Sequence, residues 1–167
     1  MQWQDHLESA ARQTQIAAYH IKQLKARLEK FNGGAVPIPI QAHFEGVVLA
    51  SLATIDKVAQ AVNSALKLGA KNGEKFQKAF SEIRCLEPVE KWLQNPFGID
   101  LRRTRARIAH YFYSKDSKGI HFLVEEVDSK YDGSREILAY GQSALEYAKE
   151  LCGLIPTITE NLLSRLR

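Results

Sequence analysis

The residues most suited to chemistry lie between positions 101 and 113, where four arginines precede one histidine and three aromatic residues. They are Arg102, Arg103, Arg105, Arg107, His110, Tyr111, Phe112 and Tyr113. Histidine accepts or donates a proton near neutral pH. Arginine binds a phosphodiester through two parallel hydrogen bonds and stabilises charge in the transition state. These groups suffice for metal-free RNA cleavage by attack of the ribose 2′-hydroxyl, provided that a second copy supplies another proton donor.

Helical spacing decides which arginines lie near the histidine. Arg103 and Arg107 precede His110 by seven and three positions, so a regular helix places all three on one face. Arg105 precedes His110 by five positions, which is roughly 140° around a helix of 3.6 residues per turn. Arg105 therefore meets His110 only through its long side chain, a local distortion or a partner subunit.

The segment at residues 105–111, which reads RARIAHY, resembles the signature of the HEPN (higher eukaryotes and prokaryotes nucleotide-binding) domain. That signature is an arginine, a short spacer and a histidine. Members are helical bundles, frequently dimers, and many are metal-independent ribonucleases of toxin–antitoxin, phage-defence or RNA-processing systems. The resemblance implies a homodimer in which both copies line one cleft, and it allows an antitoxin protein as partner. It also implies that Arg105 binds the scissile phosphate and that His110 acts as acid or base.

The sequence leaves the activity open between two hypotheses. In the first, Arg105 and His110 are catalytic, and the surrounding RNA or phosphate contacts come from Arg102, Arg103, Arg107 and Tyr111. In the second, a HEPN-like module binds RNA, nucleotide or protein without cleavage. Ala106 bears on the choice because the family usually has a polar residue there; if Arg103 is the motif arginine, Thr104 supplies the polar neighbour. A purely structural helical oligomerisation domain is a weaker third interpretation.

Composition and charge are typical of one soluble domain spanning residues 1–167. Net charge is +4, which permits an anionic partner without requiring one. Cys85 and Cys152 lie far apart without metal-type spacing, which favours a reducing cytoplasm. We identify neither a signal peptide nor an apolar run long enough to cross a bilayer, and therefore expect a cytoplasmic location without membrane contact.

The remaining histidines do not predict a metal or cofactor site. His6, His20 and His121 have no ligand spacing to one another, so no metal and no cofactor are expected. His43 falls near the apolar face of a helix and is interpreted as a buried, hydrogen-bonded residue. The same reasoning leaves His110 open to a structural interpretation, between helices.

Apolar periodicity predicts an all-α protein with four principal helices. They cover residues 3–31, residues 41–68, the arginine-rich segment from residue 99 or 100, and the segment from Ser134 onward, with Pro156 predicting a kink or break. Shorter helices are predicted at residues 74–84 and 88–94. A polar turn at residues 114–119, flanked by strand-like residues, predicts a small β-hairpin between the third and fourth principal helices. The expected architecture is an up-and-down four-helix bundle, HEPN-like by the resemblance.

Overall fold

A computed structural model describes residues 2–32, 37–71, 73–111 and 132–167, and within these it leaves the side chains of residues 105–111 and 132–136 undescribed. The described regular structure is entirely helical, which confirms the all-α prediction. The helices are α1 (Trp3–Leu28), α2 (Ile38–Ala65), α3 (Lys75–Ile83), α4 (Glu87–Gln94), α5 (Phe97–Tyr111), α6 (Asp132–Gly153) and α7 (Ile155–Leu166). The predicted β-hairpin lies outside the described residues.

Helix α1 follows its predicted apolar seam. Its buried residues are Leu7, Ala10, Thr14, Ala17 and Leu24, which recur at helical spacings of three, four and seven. At the start of the helix, the Gln2 backbone N–H donates to Asp5 at 2.7 Å. Lys25 and Arg27 lie in the last turn, where positive charge stabilises the negative end of the helix dipole. The helix ends at Leu28, three residues before the predicted end.

Helix α2 is the centre of the core and packs against α1, α3, α5, α6 and α7. It starts at Ile38, earlier than predicted, because Pro39 lies in the first turn, where a missing N–H is tolerated. It ends at Ala65, since Lys67 and Gly69 adopt positive φ angles of 53° and 61° that a helix does not contain.

The same helix is, by length and composition, apolar enough to cross a membrane. An 18-residue window within it has a mean hydropathy of 1.3, and half of that window is buried inside the protein. The sequence analysis had identified no apolar run long enough to cross a bilayer. Helix α2 meets the criterion because Glu45, Asp56 and Lys57 are its only charged residues. A buried core helix of a soluble protein meets the same criterion.

The break at Pro156 is confirmed as a division into two helices. Helix α6 ends at Gly153, and α7 begins at Ile155 with Pro156 in its first turn. Near its C-terminus α7 returns to α3, where the Arg165 guanidinium contacts the Glu82 carboxylate at 2.7 Å and the Glu82 carbonyl at 3.0 Å. This ion pair is partly exposed, so its contribution to stability is small.

Candidate nucleic-acid interface

The described part of α5 has one face in the core and another in solvent. Leu101 is fully buried, and Thr104 is 4% exposed. The Thr104 hydroxyl lies 2.7 Å from the Tyr140 hydroxyl of α6, so the two share a hydrogen bond. Arg103 lies on the other side and is exposed. Among the described residues, Arg103 has no ion-pair partner. Arg103 therefore lies on the solvent-facing side of α5.

An aromatic cluster fixes the first turn of α5. The Phe97 ring lies 5.1 Å from that of Tyr140 and 6.0 Å from that of Tyr147, between ring centroids. Tyr147 stacks on Trp92 of α4 at 4.4 Å, and the Trp92 indole N–H donates to the Tyr147 carbonyl at 2.9 Å. Helices α4 and α6 thus hold the start of α5 through interlocking rings whose burial is the main source of stability.

Gly98 allows the close approach of α5 to Tyr147. A Cβ at this position would overlap the Tyr147 hydroxyl and lie 2.6 Å from the ring carbon that bears it. Both residues are buried. Burial also raises the pKa of Tyr147 to about 12, an effect that the nearby charge of Arg102 only partly offsets. The phenol therefore stays neutral, and the glycine is required by packing.

We expect Gly98→Ala to destabilise the domain by about 1–3 kcal/mol, the range for overpacking a well-packed core. Tyr147→Phe removes the hydroxyl and should recover part of that loss in the double variant, because the ring itself remains close. Urea unfolding of the two single variants and the double variant measures both effects. Additive losses in the double variant would contradict the assigned contact.

Arg102 is placed differently from Arg103. Its guanidinium carbon lies 4.1 Å from the centre of the Phe76 ring of α3, in a cation–π contact. The side chain is half-buried. Arg102 therefore joins α5 to α3 through Phe76, which makes it less available to a ligand than Arg103 is.

The other predicted site residues belong to α5, but their side chains lie outside the described part of the structure. Arg105, Arg107, His110 and Tyr111 fall in the helix, which continues to Tyr111. On a continuous helix, positions 103, 107 and 110 share one face, and position 105 lies near the face of buried Leu101.

Thr104, the polar residue next to Arg103, faces the core instead of a site. Thr104 is buried and its hydroxyl bonds to Tyr140, so it belongs to the core face of α5. With alanine at position 106, neither candidate arginine has a polar residue next in sequence that is free to take part in a site. This distinguishes α5 from the family pattern on which the resemblance rests.

A pair of histidines escaped the sequence reasoning. His20 of α1 and His43 of α2 lie with their Nδ1 atoms 3.1 Å apart. In the sequence analysis, the spacing of His20 was considered only relative to His6 and His121, and not relative to His43. His43 was interpreted as a buried, hydrogen-bonded residue; the hydrogen bond is present, with His20 as partner, but the side chain is only partly buried. The two histidines meet because α1 and α2 pack antiparallel, in a register that also places Ala10 near Thr54. That register cannot be derived from the spacing of histidines along the chain.

Comparison of the chain with protein-family models, with curated proteins and with solved structures found no match. The functional assignment therefore rests on the residues and their geometry.

Proposed function

We propose that this chain is a HEPN-like, metal-independent endoribonuclease that acts as a homodimer. In this proposal α1, α2, α5 and the α6–α7 pair are the four principal helices of an up-and-down bundle that presents α5 to RNA. A cytoplasmic toxin or phage-defence role, with an antitoxin protein as partner, follows from the resemblance and is part of the proposal.

The observation that carries the proposal is the exposure of Arg103 on the side of α5 that faces away from buried Leu101 and Thr104. The helix continues to Tyr111, and its register brings positions 107 and 110 to the same face as Arg103. A cationic face that ends in a histidine supplies both phosphate binding and proton transfer. The contacts of Thr104 and Phe97 with α6 hold that face in position.

The reaction needs two proton-transfer groups and one cationic group. One His110 removes the proton from the 2′-hydroxyl, and the new bond between that oxygen and phosphorus displaces the 5′-oxygen. The protonated His110 of the second copy donates to the leaving oxygen. Arginine stabilises the charge on the phosphoryl oxygens. Arg103 fits this role within one chain, whereas Arg105 fits it from the second copy. The products carry a 2′,3′-cyclic phosphate and a 5′-hydroxyl.

The test is to incubate the purified protein with end-labelled RNA in excess EDTA. We expect cleavage that EDTA does not inhibit, with cyclic phosphate and 5′-hydroxyl ends. A 2′-deoxy substrate of the same sequence is the control, and it should bind without being cleaved because it lacks the nucleophile. Cleavage of the deoxy substrate, or loss of all cleavage in EDTA, would contradict the proposed reaction.

The second candidate is a HEPN-like module that binds RNA, nucleotide or protein without cleavage. The position of Thr104 favours it, since the one polar residue beside the candidate arginines bonds to Tyr140 instead of facing a site. In the same assay this candidate predicts RNA binding that weakens in Arg103→Gln, with no cleavage of either substrate.

A further inference from the structure

The paired histidines lie on the α1–α2 seam, apart from the arginine face of α5. The Nδ1 atoms of His20 and His43 are 3.1 Å apart, and the two ring centroids are 5.3 Å apart. Both side chains are half-buried. The exposed ring of Tyr19 contacts both imidazoles by its edge, at 5.5 Å and 6.4 Å between centroids. The two Nδ1 atoms therefore lie within hydrogen-bond distance of each other in a partly exposed position.

Gly46 makes room for this arrangement. A Cβ at position 46 would lie 2.6 Å from the His20 ring, so that ring packs directly on the backbone of α2. Glycine inside a helix costs about 1 kcal/mol relative to alanine. Gly46 lies in the interior of α2. Glycine at position 46 therefore lowers the stability of α2 but leaves space for the His20 ring.

The two rings share one hydrogen bond between their Nδ1 atoms. In the metal-free protein one neutral Nδ1 donates its proton to the other. When the donor ring carries its proton on Nε2 instead, both Nδ1 lone pairs are free to bind one metal ion.

We propose that His20 and His43 form a two-imidazole site for a late first-row divalent metal ion such as Zn²⁺ or Cu²⁺. Metal–nitrogen bonds of about 2.0–2.1 Å at angles of about 90–109° separate two ligand nitrogens by about 2.8–3.4 Å. The observed separation of 3.1 Å falls within this range. Imidazole is a preferred ligand of zinc and copper.

The protein supplies two ligands and leaves the other positions of the ion open. In the part of the chain that the structure describes, no group of three His, Cys, Asp or Glu residues is arranged to hold a metal. Water therefore fills the remaining coordination positions, as in sites where a bound ion keeps exchangeable ligands. This site is independent of the proposed ribonuclease, whose reaction uses no metal.

The test is calorimetric titration of the protein with ZnCl₂ at pH 7.5. A Cys85→Ser background is used, because Cys85 is an exposed free thiol and cysteine sulfur is a common zinc ligand. We expect one Zn²⁺ per chain, with affinity at least about tenfold lower in His20→Ala and in His43→Ala, since even loss of a supporting contact weakens metal sites about 10–100-fold. His110→Ala is the matched control and should bind zinc like the parent.

Two further measurements separate ligation from effects on folding. Gly46→Ala keeps both imidazoles but displaces the His20 ring, so it should also weaken zinc binding. The double variant His20→Ala/Gly46→Ala fills the vacated space with a methyl group and should remain folded by circular dichroism while binding no zinc. Zinc affinity in the parent should fall at acidic pH, because protons compete for the ligand nitrogens.

Equal zinc affinity in the parent and in both histidine variants would overturn the proposal, as would the absence of zinc binding by the parent. RNA cleavage in EDTA by His20→Ala and His43→Ala should match that of the wild-type chain. Failure of the metal site and failure of the ribonuclease are therefore observed in different assays.

Discussion

Replacing His110 with alanine is expected to lower the rate of RNA cleavage by about 10²–10⁴-fold, the range that general acid–base catalysis contributes. In the proposed dimer the substitution removes both proton-transfer groups at once, so the loss should approach the upper end. RNA affinity should change little, because the arginines remain. The measurement is single-turnover cleavage of labelled RNA at saturating protein, with binding followed by fluorescence anisotropy.

Two arginine variants serve as controls for this result. Arg103→Gln should weaken both RNA binding and cleavage, because Arg103 is exposed and shares the helical face of position 110. Arg105→Gln tests the arginine that the family resemblance implies. Arg105→Gln should lower the cleavage rate if Arg105 binds the scissile phosphate, and should leave it unchanged if Arg103 has that role. Unchanged cleavage in His110→Ala would remove the histidine from the mechanism.

The second large effect concerns stability. We expect Trp92→Ala to lower the free energy of unfolding by about 3–5 kcal/mol, the usual loss for a buried tryptophan. Its ring stacks between Phe80 at 5.3 Å and Tyr147 at 4.4 Å, and its N–H bonds to the Tyr147 carbonyl. Only 4% of the residue is exposed. The substitution therefore leaves a cavity in the core and removes the hydrogen bond from the indole N–H to the Tyr147 carbonyl.

Urea unfolding followed by circular dichroism measures this loss without relying on the deleted fluorophore. Trp92→Phe is the matched variant, since it keeps an aromatic ring and loses the hydrogen bond, whose net worth is about 1 kcal/mol. Trp3→Ala is a second comparison, because Trp3 is only partly buried at the start of α1. A Trp92→Ala loss no larger than that of Trp3→Ala would show that the aromatic cluster does not support the fold.

Local pattern accounts for most of the helices. The seam of α1 was predictable because its buried residues repeat at helical spacing, and the break before Pro156 because proline cannot continue a hydrogen-bonded helix. The start of α2 was predicted at residue 41, and the helix begins at Ile38 because Pro39 is compatible with a first turn.

The tertiary contacts could not be predicted in the same way. Trp92 and Tyr147 are 55 positions apart, and Thr104 and Tyr140 are 36 apart. Nothing in the local sequence around either residue encodes the partner. The shared helical face of positions 103, 107 and 110 depends only on spacing within one helix, and for the side chains at 107 and 110 it stays a prediction. The contact of Arg102 with Phe76 was not predictable, because it depends on where α3 packs.

The central position of α2 has a consequence for how the domain unfolds. This helix contacts α1, α3, α5, α6 and α7, so removing it would expose an apolar surface on each of them. Helices α1 and α5 also contact α6, but each of these helices packs on α2 as well. The amide protons in the middle of α2 are therefore expected to be among the slowest to exchange with solvent. The same coupling ties the position of α5 to every substitution in the buried face of α2.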